Sequence, residues 1–312
     1  MVEAPSTFDT KILDGAAILH FLSTAGVSTF EEFANIVFLP CIKRQLEDAD
    51  RVDVVWDTYL SNSIKGCARE KRGKGIRRKV ACSNKFPGKW QEFLQDSDNK
   101  RELFDFLSEQ VALAKFPDGK TVVITSGESV IINGNDYSMV ETDLEEADTK
   151  IILHLQNALH TGPSACCVRT VDTDVVVVII GMFSKLQKFI PAADIWVAFG
   201  TGKHFTYYNI NAIALALGEE KSTSLPVFHS FTGCDSVSAF YGKGKLSAWA
   251  AWQCFSEVTE AFSFFAKKPF ITLDINSDHL KLLERFTVVL YDKTSHLSSV
   301  DEAQQQLFCK KR

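Results

Sequence analysis

The sequence predicts an α/β fold: a parallel sheet flanked by helices, with a C-terminal helical extension. Three observations predict it. Short apolar runs alternate with stretches of helical periodicity through the first part of the chain, the pattern of strand–helix–strand crossovers. Acids recur where those runs end, which is where open α/β sheets bind ligands. From Asn209 onward the periodicity is mainly helical. The 312 residues are 46% hydrophobic with 24 Phe and 5 Trp, enough for one sizeable core.

In chain order, Lys11 to Asp14 is a short apolar run ending in Asp-Gly. Ala16 to Leu22 and Phe30 to Leu46 read as helices, the second with Phe33, Ile36, Val37 and Cys41 on one stripe. Arg51 to Asp57 reads as a buried strand ending in an acid. A basic segment follows, broken by Gly66, Gly73 and Gly75. Trp90 to Leu94 and Lys100 to Val111 read as helices, Lys120 to Thr125 as a strand, and Glu128 to Ile132 as a further candidate strand. Leu144 to His160 is a helix with Ile151, Ile152, Leu155 and Leu159 inward, and Thr142 with Glu145 fits a capping box at its start. Ala165 to Val171 is a strand running into Asp172-Thr173-Asp174, and Val175 to Ile180 reads as another buried strand. Ile195 to Phe199 and His204 to Tyr208 predict a hairpin across Gly200 to Lys203. The expected division is a core over 1–235, with a basic segment at 62–80, and a helical extension over 236–312.

Composition narrows the function classes. Eight Cys without a CxxC pair predict reduced thiols and no zinc module. No basic n-region opens the chain, and the longest apolar run, Val175 to Phe183, is too short to span a bilayer. An intracellular protein, nuclear or cytoplasmic and not membrane-bound, is expected. Net charge is −5, but its distribution is uneven. Lys65, Arg69, Lys71, Arg72, Lys74, Arg77, Arg78 and Lys79 crowd one segment against the single acid Glu70. Such segregation predicts a polyanion-binding element on an acidic body.

The acids carry the chemistry. Asp14, Asp57, Asp172 and Asp174 stand at strand ends. Carboxylates gathered there would repel one another, and a divalent cation resolves the conflict; oxygen ligands favour Mg²⁺ or Mn²⁺. Blander readings stay open. Glu145, Glu146 and Asp148 also suit the positive end of a helix dipole, Asp172 to Asp174 suits a polar turn, and Asp235 in Phe231-Thr232-Gly233-Cys234-Asp235 suits a helix cap. Gly242-Lys243-Gly244-Lys245 is either a phosphate-holding turn or a plain connection between helices. Gly200-Thr201-Gly202-Lys203 lacks the first Gly of a phosphate loop and reads as a hairpin turn. An aspartyl-phosphate mechanism would place D-x-D after the first strand, where a single Asp14 stands. His20, His154 and His229 sit in apolar periodic stretches and read as core residues.

The order of these pieces resembles the flap endonuclease and XPG class of structure-specific 5′ nucleases, within the PIN-like fold. That family has an Asp ending the first strand, here Asp14 of ILDGAAIL, and a second ending the next strand before a basic gateway and arch, here Asp57 of VVWDTYLSNSIKGCAREKRGKG. Its E-A-E helix start is similar to Glu146-Ala147-Asp148, its D-x-D to Asp172-Thr173-Asp174, and its G-S-D to Gly233-Cys234-Asp235. Its G-x-G hairpin turn resembles Gly242 to Gly244, with Leu246 where a basic residue usually sits. A group of PIN-like proteins carrying E-E-A-D-T, T-V-D-T-D-V-V-V and F-T-G-C-D in this order is similar more closely still.

The resemblance implies that these seven carboxylates bind two Mg²⁺ (or Mn²⁺) ions. It implies that Lys65 and one of Arg69, Lys71 or Arg72 act as gateway and arch bases, with Lys74, Arg77, Arg78, Gly242, Gly244 and Lys245 on the nucleic acid. The expected activity is phosphodiester hydrolysis of nucleic acid, DNA in preference to RNA, in which the cations activate water and neutralise the leaving oxygen. A PIN-type ribonuclease with the same site, and a catalytically weak nucleic-acid-binding relative, are the alternatives.

Overall fold

The computed structural model describes residues 4–59, 75–134, 142–161, 165–189, 191, 193–235 and 237–310. Within them the chain is α/β, with a seven-stranded, mostly parallel sheet in the order β4-β3-β2-β1-β5-β6-β7. The strands are β1 (Phe8–Asp14), β2 (Ala49–Val55), β3 (Thr121–Ser126), β4 (Ser129–Asn133), β5 (Ala165–Thr170), β6 (Asp194–Phe199) and β7 (Thr206–Asn209). β1, β2, β3, β5 and β6 are parallel; β4 and β7 pair antiparallel at the two edges. From β1 the order grows one way to β2 and β3 and the other way to β5 and β6. The switch point therefore lies between β1 and β5, where such sheets open a ligand crevice. The architecture is compatible with a PIN-like fold.

The helices are α1 (Gly15–Phe21), α2 (Phe30–Glu32), α3 (Leu39–Gln45), α4 (Trp90–Phe93), α5 (Ser97–Leu113), α6 (Ala147–Thr161), α7 (Thr173–Phe189), α8 (Ile210–Phe231), α9 (Lys245–Cys254), α10 (Val258–Lys267), α11 (Asp278–Tyr291) and α12 (Val300–Lys310). The single helix expected over Phe30 to Leu46 is broken by a π segment, Phe33–Phe38. Pro40 has no N–H to give Ile36, and the amide of Leu39 reaches back five residues to Ala34 instead.

A larger correction concerns Val175 to Ile180, which forms the body of α7, not a strand. The run is apolar on every side, so period alone could not separate a buried helix from a buried strand. The expected capping box is also absent: α6 begins at Ala147, and Thr142 Oγ1 accepts instead from the amide of Leu144.

Two compact units divide the chain. The first comprises Met1–Val176 and Leu186–Asn211, the second Val177–Lys185 and Ala212–Arg312; the expected division at 235 lies inside the second. The first unit has its core between the sheet and the early helices. Phe30, Phe33, Phe86, Trp90 and Phe93 stack in one aromatic cluster, and Trp56 lies flat on Phe104 at 4.4 Å. In the second unit Phe228, Trp252, Phe262 and Phe286 form the centre. Gly181 of α7 lies against Pro226 of α8, where a Cβ would sit 2.4 Å from the proline ring. Among the described residues no helix is long and apolar enough to cross a membrane.

Beneath α6 the sheet carries a buried ion network. Asp53 is fully buried and accepts Arg51 Nε and a terminal guanidinium nitrogen, both at 2.7 Å, with His154 Nδ1 at 2.7 Å. Burial alone would raise its pKa, but the bonds to His154 and Arg51 hold it below the ordinary carboxylate value. The pattern requires these partners, because an unpaired carboxylate there would be strongly destabilising.

Gly15 shows how tightly the chain is drawn around the end of β1. A Cβ at this position would lie 2.2 Å from the Trp56 ring, which is itself stacked and bonded through Nε1 to Ser108. Gly15→Ala is expected to cost about 1–3 kcal/mol of stability through this overpacking. Denaturant unfolding measures it; a loss near zero would mean that Trp56 is free to move.

Candidate active site

Three carboxylates at strand ends are each bonded to the start of a helix. Asp14, the last residue of β1, caps α1, its Oδ1 accepting the amide of Ala17 at 3.0 Å. Asp57, two residues beyond β2, accepts the amide of Ala147, the first residue of α6, at 2.9 Å through Oδ1. Asp172, two residues beyond β5, accepts the amide of Asp174 at the start of α7 at 2.8 Å. The positive ends of three helix dipoles thus meet acids that follow neighbouring parallel strands.

The remaining candidate acids of the first unit, Glu146, Asp148 and Asp174, neighbour these bonds in sequence. The amide of Thr58 donates to the carbonyl of Glu145 at 2.7 Å, pinning the lead-in of α6 to the end of β2. Glu146 and Asp148 therefore stand on either side of the residue that Asp57 holds. Glu146, Asp148 and Asp174 are half-buried and Asp172 is exposed.

Asp14 is the electrostatic focus. It is only 8% exposed, and its Oδ2 accepts Thr170 Oγ1 at 3.1 Å. Thr170 Oγ1 in turn accepts the amide of Asp172 at 3.0 Å, linking the ends of β1 and β5. Burial pushes the Asp14 carboxyl up to about 6, and the charges of Asp57 and Asp172 push the same way against the bonds from Ala17 and Thr170. The acids following β1, β2 and β5 therefore share one field.

They do not form a ready coordination sphere. Among the described residues, no three His, Cys, Asp or Glu side chains are placed to hold one metal ion as they stand. The oxygens of Asp14, Asp57 and Asp172 are engaged with amides and Thr170. The expected ring of seven carboxylates is thus not a preformed cage. Asp235 is exposed in the turn after α8 and belongs to the second unit. No protein-family model and no curated protein matches this chain.

Lys65, Arg69, Lys71, Arg72 and Lys74 lie outside the described residues. The end of the basic segment is anchored: Arg77 pairs with Glu102, and the buried Asn99 bonds the amide of Arg78 and the carbonyl of Ile76. Arg78 is exposed. In the second unit Gly242 takes φ +67°, and Gly244 precedes α9. Lys245 turns back, its Nζ bonding the carbonyl of His229 and Thr232 Oγ1, so its ammonium is engaged within the protein. Of the three His assigned to the core, His154 is buried and His229 half-buried, but His20 is exposed and bonded to Gln91.

Lys150 was not anticipated. Its side chain is buried, and Nζ donates to Thr58 Oγ1 at 2.5 Å and to the carbonyls of Gly127 and Trp56 at 3.3 and 3.4 Å. Burial lowers its pKa, while the charges of Asp57 and Glu128 oppose that shift. Its signal was available: Ala147, Lys150, Ile151, His154, Leu155 and Ala158 form the inward stripe of α6, and the polar members of such a stripe are its informative ones.

The raised carboxyl of Asp14 makes stability depend on pH. Its folded-state pKa, about 6, lies above the ordinary 3.8, so its contribution is fully present below about pH 4 and is lost as pH rises through 6. Asp14→Asn keeps the cap and removes the charge. Without divalent cations it is expected to raise stability by about 1–3 kcal/mol above pH 7 and by much less near pH 4. Thermal unfolding across this range tests it; a gain independent of pH would contradict the assignment.

Proposed function

We propose that this chain is a divalent-metal-dependent nuclease, a structure-specific 5′ nuclease acting on DNA, with its active site at the carboxyl ends of β1, β2 and β5. One observation carries the reading: three neighbouring strands are followed by acids, and the buried one among them, Asp14, is raised to about 6 by burial first and by the charges of Asp57 and Asp172 in addition. A buried carboxylate beside other acids costs stability unless a cation, or a proton, neutralises it.

The donor set suits Mg²⁺ or Mn²⁺, because every candidate ligand is a hard oxygen. Mg²⁺ is ordinarily held by one or two carboxylates, several waters and substrate phosphate oxygens. A three-residue cage is therefore not required. Asp14, Asp57, Glu146, Asp148, Asp172 and Asp174 would supply the carboxylates for one or two ions. When bound, the cations would activate water and neutralise the charge on the leaving oxygen.

The chain's own residues would do the positioning. Thr170 holds Asp14 and the Asp172 backbone in register. Asp57 holds the start of α6, and with it Glu146 and Asp148. Lys150, buried behind Asp57, keeps that loop closed through Thr58 and Gly127. The bases Lys65 to Lys74 and the exposed Arg78 would contact phosphates, an interaction that gives affinity without reading bases, while Arg77 stays paired with Glu102.

A second reading, a nucleic-acid-binding relative with little catalysis, is favoured by the engagement of three carboxylates as helix partners. Cleavage separates the two readings. The protein is incubated with a 5′-flapped duplex, a blunt duplex and single-stranded RNA, in Mg²⁺ and in EDTA. The flapped duplex should be cut fastest, only with metal, and Asp174→Asn should lower the rate roughly a hundred-fold or more, since even outer-shell changes at metal sites cost 10–100-fold. Preference for RNA would make it a PIN-type ribonuclease. Equal turnover by the wild type and Asp174→Asn would remove metal catalysis from this site.

A further inference from the structure

The acids do not account for a second feature at the same end of the sheet. Arg169, the penultimate residue of β5, is opposite Leu13 of β1 and Ala198 of β6. Alternation along the strand sends its side chain to the face opposite Thr170 and Asp14. The guanidinium then curls over the strand ends. One terminal nitrogen donates to the carbonyls of Thr170 and Ala198 at 2.8 and 2.9 Å, the other to the carbonyl of Gly200 at 2.7 Å.

Three of its five N–H donors are thereby used, and all go to neutral carbonyls. Among the described residues no carboxylate bonds it; the Asp14 charge acts on it only through space. A half-buried cation fixed in this way keeps its charge and two N–H groups for another partner.

Aromatic rings flank it. The guanidinium lies 5.1 Å from the centre of the Phe21 ring and 5.3 Å from that of Phe205. Phe205 meets Tyr207 edge-to-face at 5.1 Å. All three rings are exposed, at 41%, 42% and 43%. Tyr207 lies on β7, the edge strand of the described sheet, and the exposed Lys203 and His204 occupy the turn just before it. An apolar partner would leave the Arg169 charge uncompensated, and an acidic one would have no use for flat exposed rings. A nucleotide satisfies both, with phosphate on the guanidinium and base on a ring.

We propose that Arg169, Phe205 and Tyr207, with Phe21 behind them, form a stacking platform for an unpaired nucleotide of single-stranded nucleic acid. The base lies on the rings of Phe205 and Tyr207, and its phosphate is held by Arg169. The adjoining backbone crosses the carboxyl edge between β1 and β5 toward Asp14. This inference rests on the nuclease reading of the acids and deepens it, because it makes the strand entering the site single-stranded. Aromatic stacking of this kind tolerates any base, so it adds affinity without sequence preference.

The test is binding of a short oligothymidylate carrying one 2-aminopurine, and of its abasic counterpart of equal charge, by the full chain in EDTA. The wild type should bind the ordinary strand more tightly and quench 2-aminopurine fluorescence. Phe205→Leu with Tyr207→Leu should weaken that binding about ten-fold or more and abolish the quench, with the abasic strand little affected. Arg169→Gln should weaken both strands alike and flatten the slope of log affinity against log salt by about one unit. The aromatic substitutions are at exposed positions, so they test the platform even if Arg169→Gln fails to fold. Unchanged binding and quenching in the aromatic double variant would overturn the platform, as would equal losses on both strands or no binding by the wild type. If the wild type self-associates and the aromatic double variant loses that association without loss of strand binding, the platform is overturned too and the surface is a protein interface. Cleavage of the same strand in Mg²⁺ is scored separately: stacking without cleavage overturns the nuclease reading alone, and cleavage without stacking overturns the platform alone.

Discussion

The carboxyl group of Asp14 closes the most central strand of the sheet and is buried where three other structural demands meet. Its two oxygens hold the start of α1 through Ala17 and the end of β5 through Thr170. The next residue must be Gly because the Trp56 ring occupies the space of its side chain. The group cannot move away from solvent-poor surroundings, and it cannot move away from Asp57 and Asp172, whose positions are fixed by α6 and α7. Holding a carboxylate in such a place is costly, and the raised pKa expresses that cost.

The rest of the first unit can be understood from this constraint. The strand order switches direction beside β1, so the ends of β1 and β5 open together instead of being covered by a crossover. On one side of that opening burial, with the charges of Asp57 and Asp172, raises the proton affinity of Asp14. On the other, Arg169 carries a positive charge to which, among the described residues, no carboxylate is bonded, with the rings of Phe21 and Phe205 beside it. A phosphodiester strand lying across the edge would satisfy both halves, bringing phosphate to the guanidinium and, with a cation, to the acids.

Much of this was legible in the sequence because strand ends and acids coincide in it. ILDG, VVWD and VRTVDTD each show an apolar run stopped by an Asp, and each marks the end of a parallel strand or the residues just past it. The hairpin of β6 and β7 followed from its aromatic runs around Gly200 and Gly202. What could not be read depended on distant partners. Val175 to Ile180 is helical, although its β-branched residues suit a strand. The start of α6 is set by Asp57, ninety residues away in sequence, not by the local Thr142 and Glu145. Arg169 gave no signal at all, since a cation inside a strand says nothing of the carbonyls and rings that will surround it.

The most direct test of the account is the ionisation of Asp14 itself, followed by carbon NMR of its labelled carboxyl with and without Mg²⁺. Without divalent cations it should titrate near 6, displaced from the ordinary 3.8, and addition of Mg²⁺ should carry the midpoint well downward as the cation replaces the proton. A midpoint at the ordinary carboxylate value without metal, or one that saturating Mg²⁺ leaves in place, would contradict it.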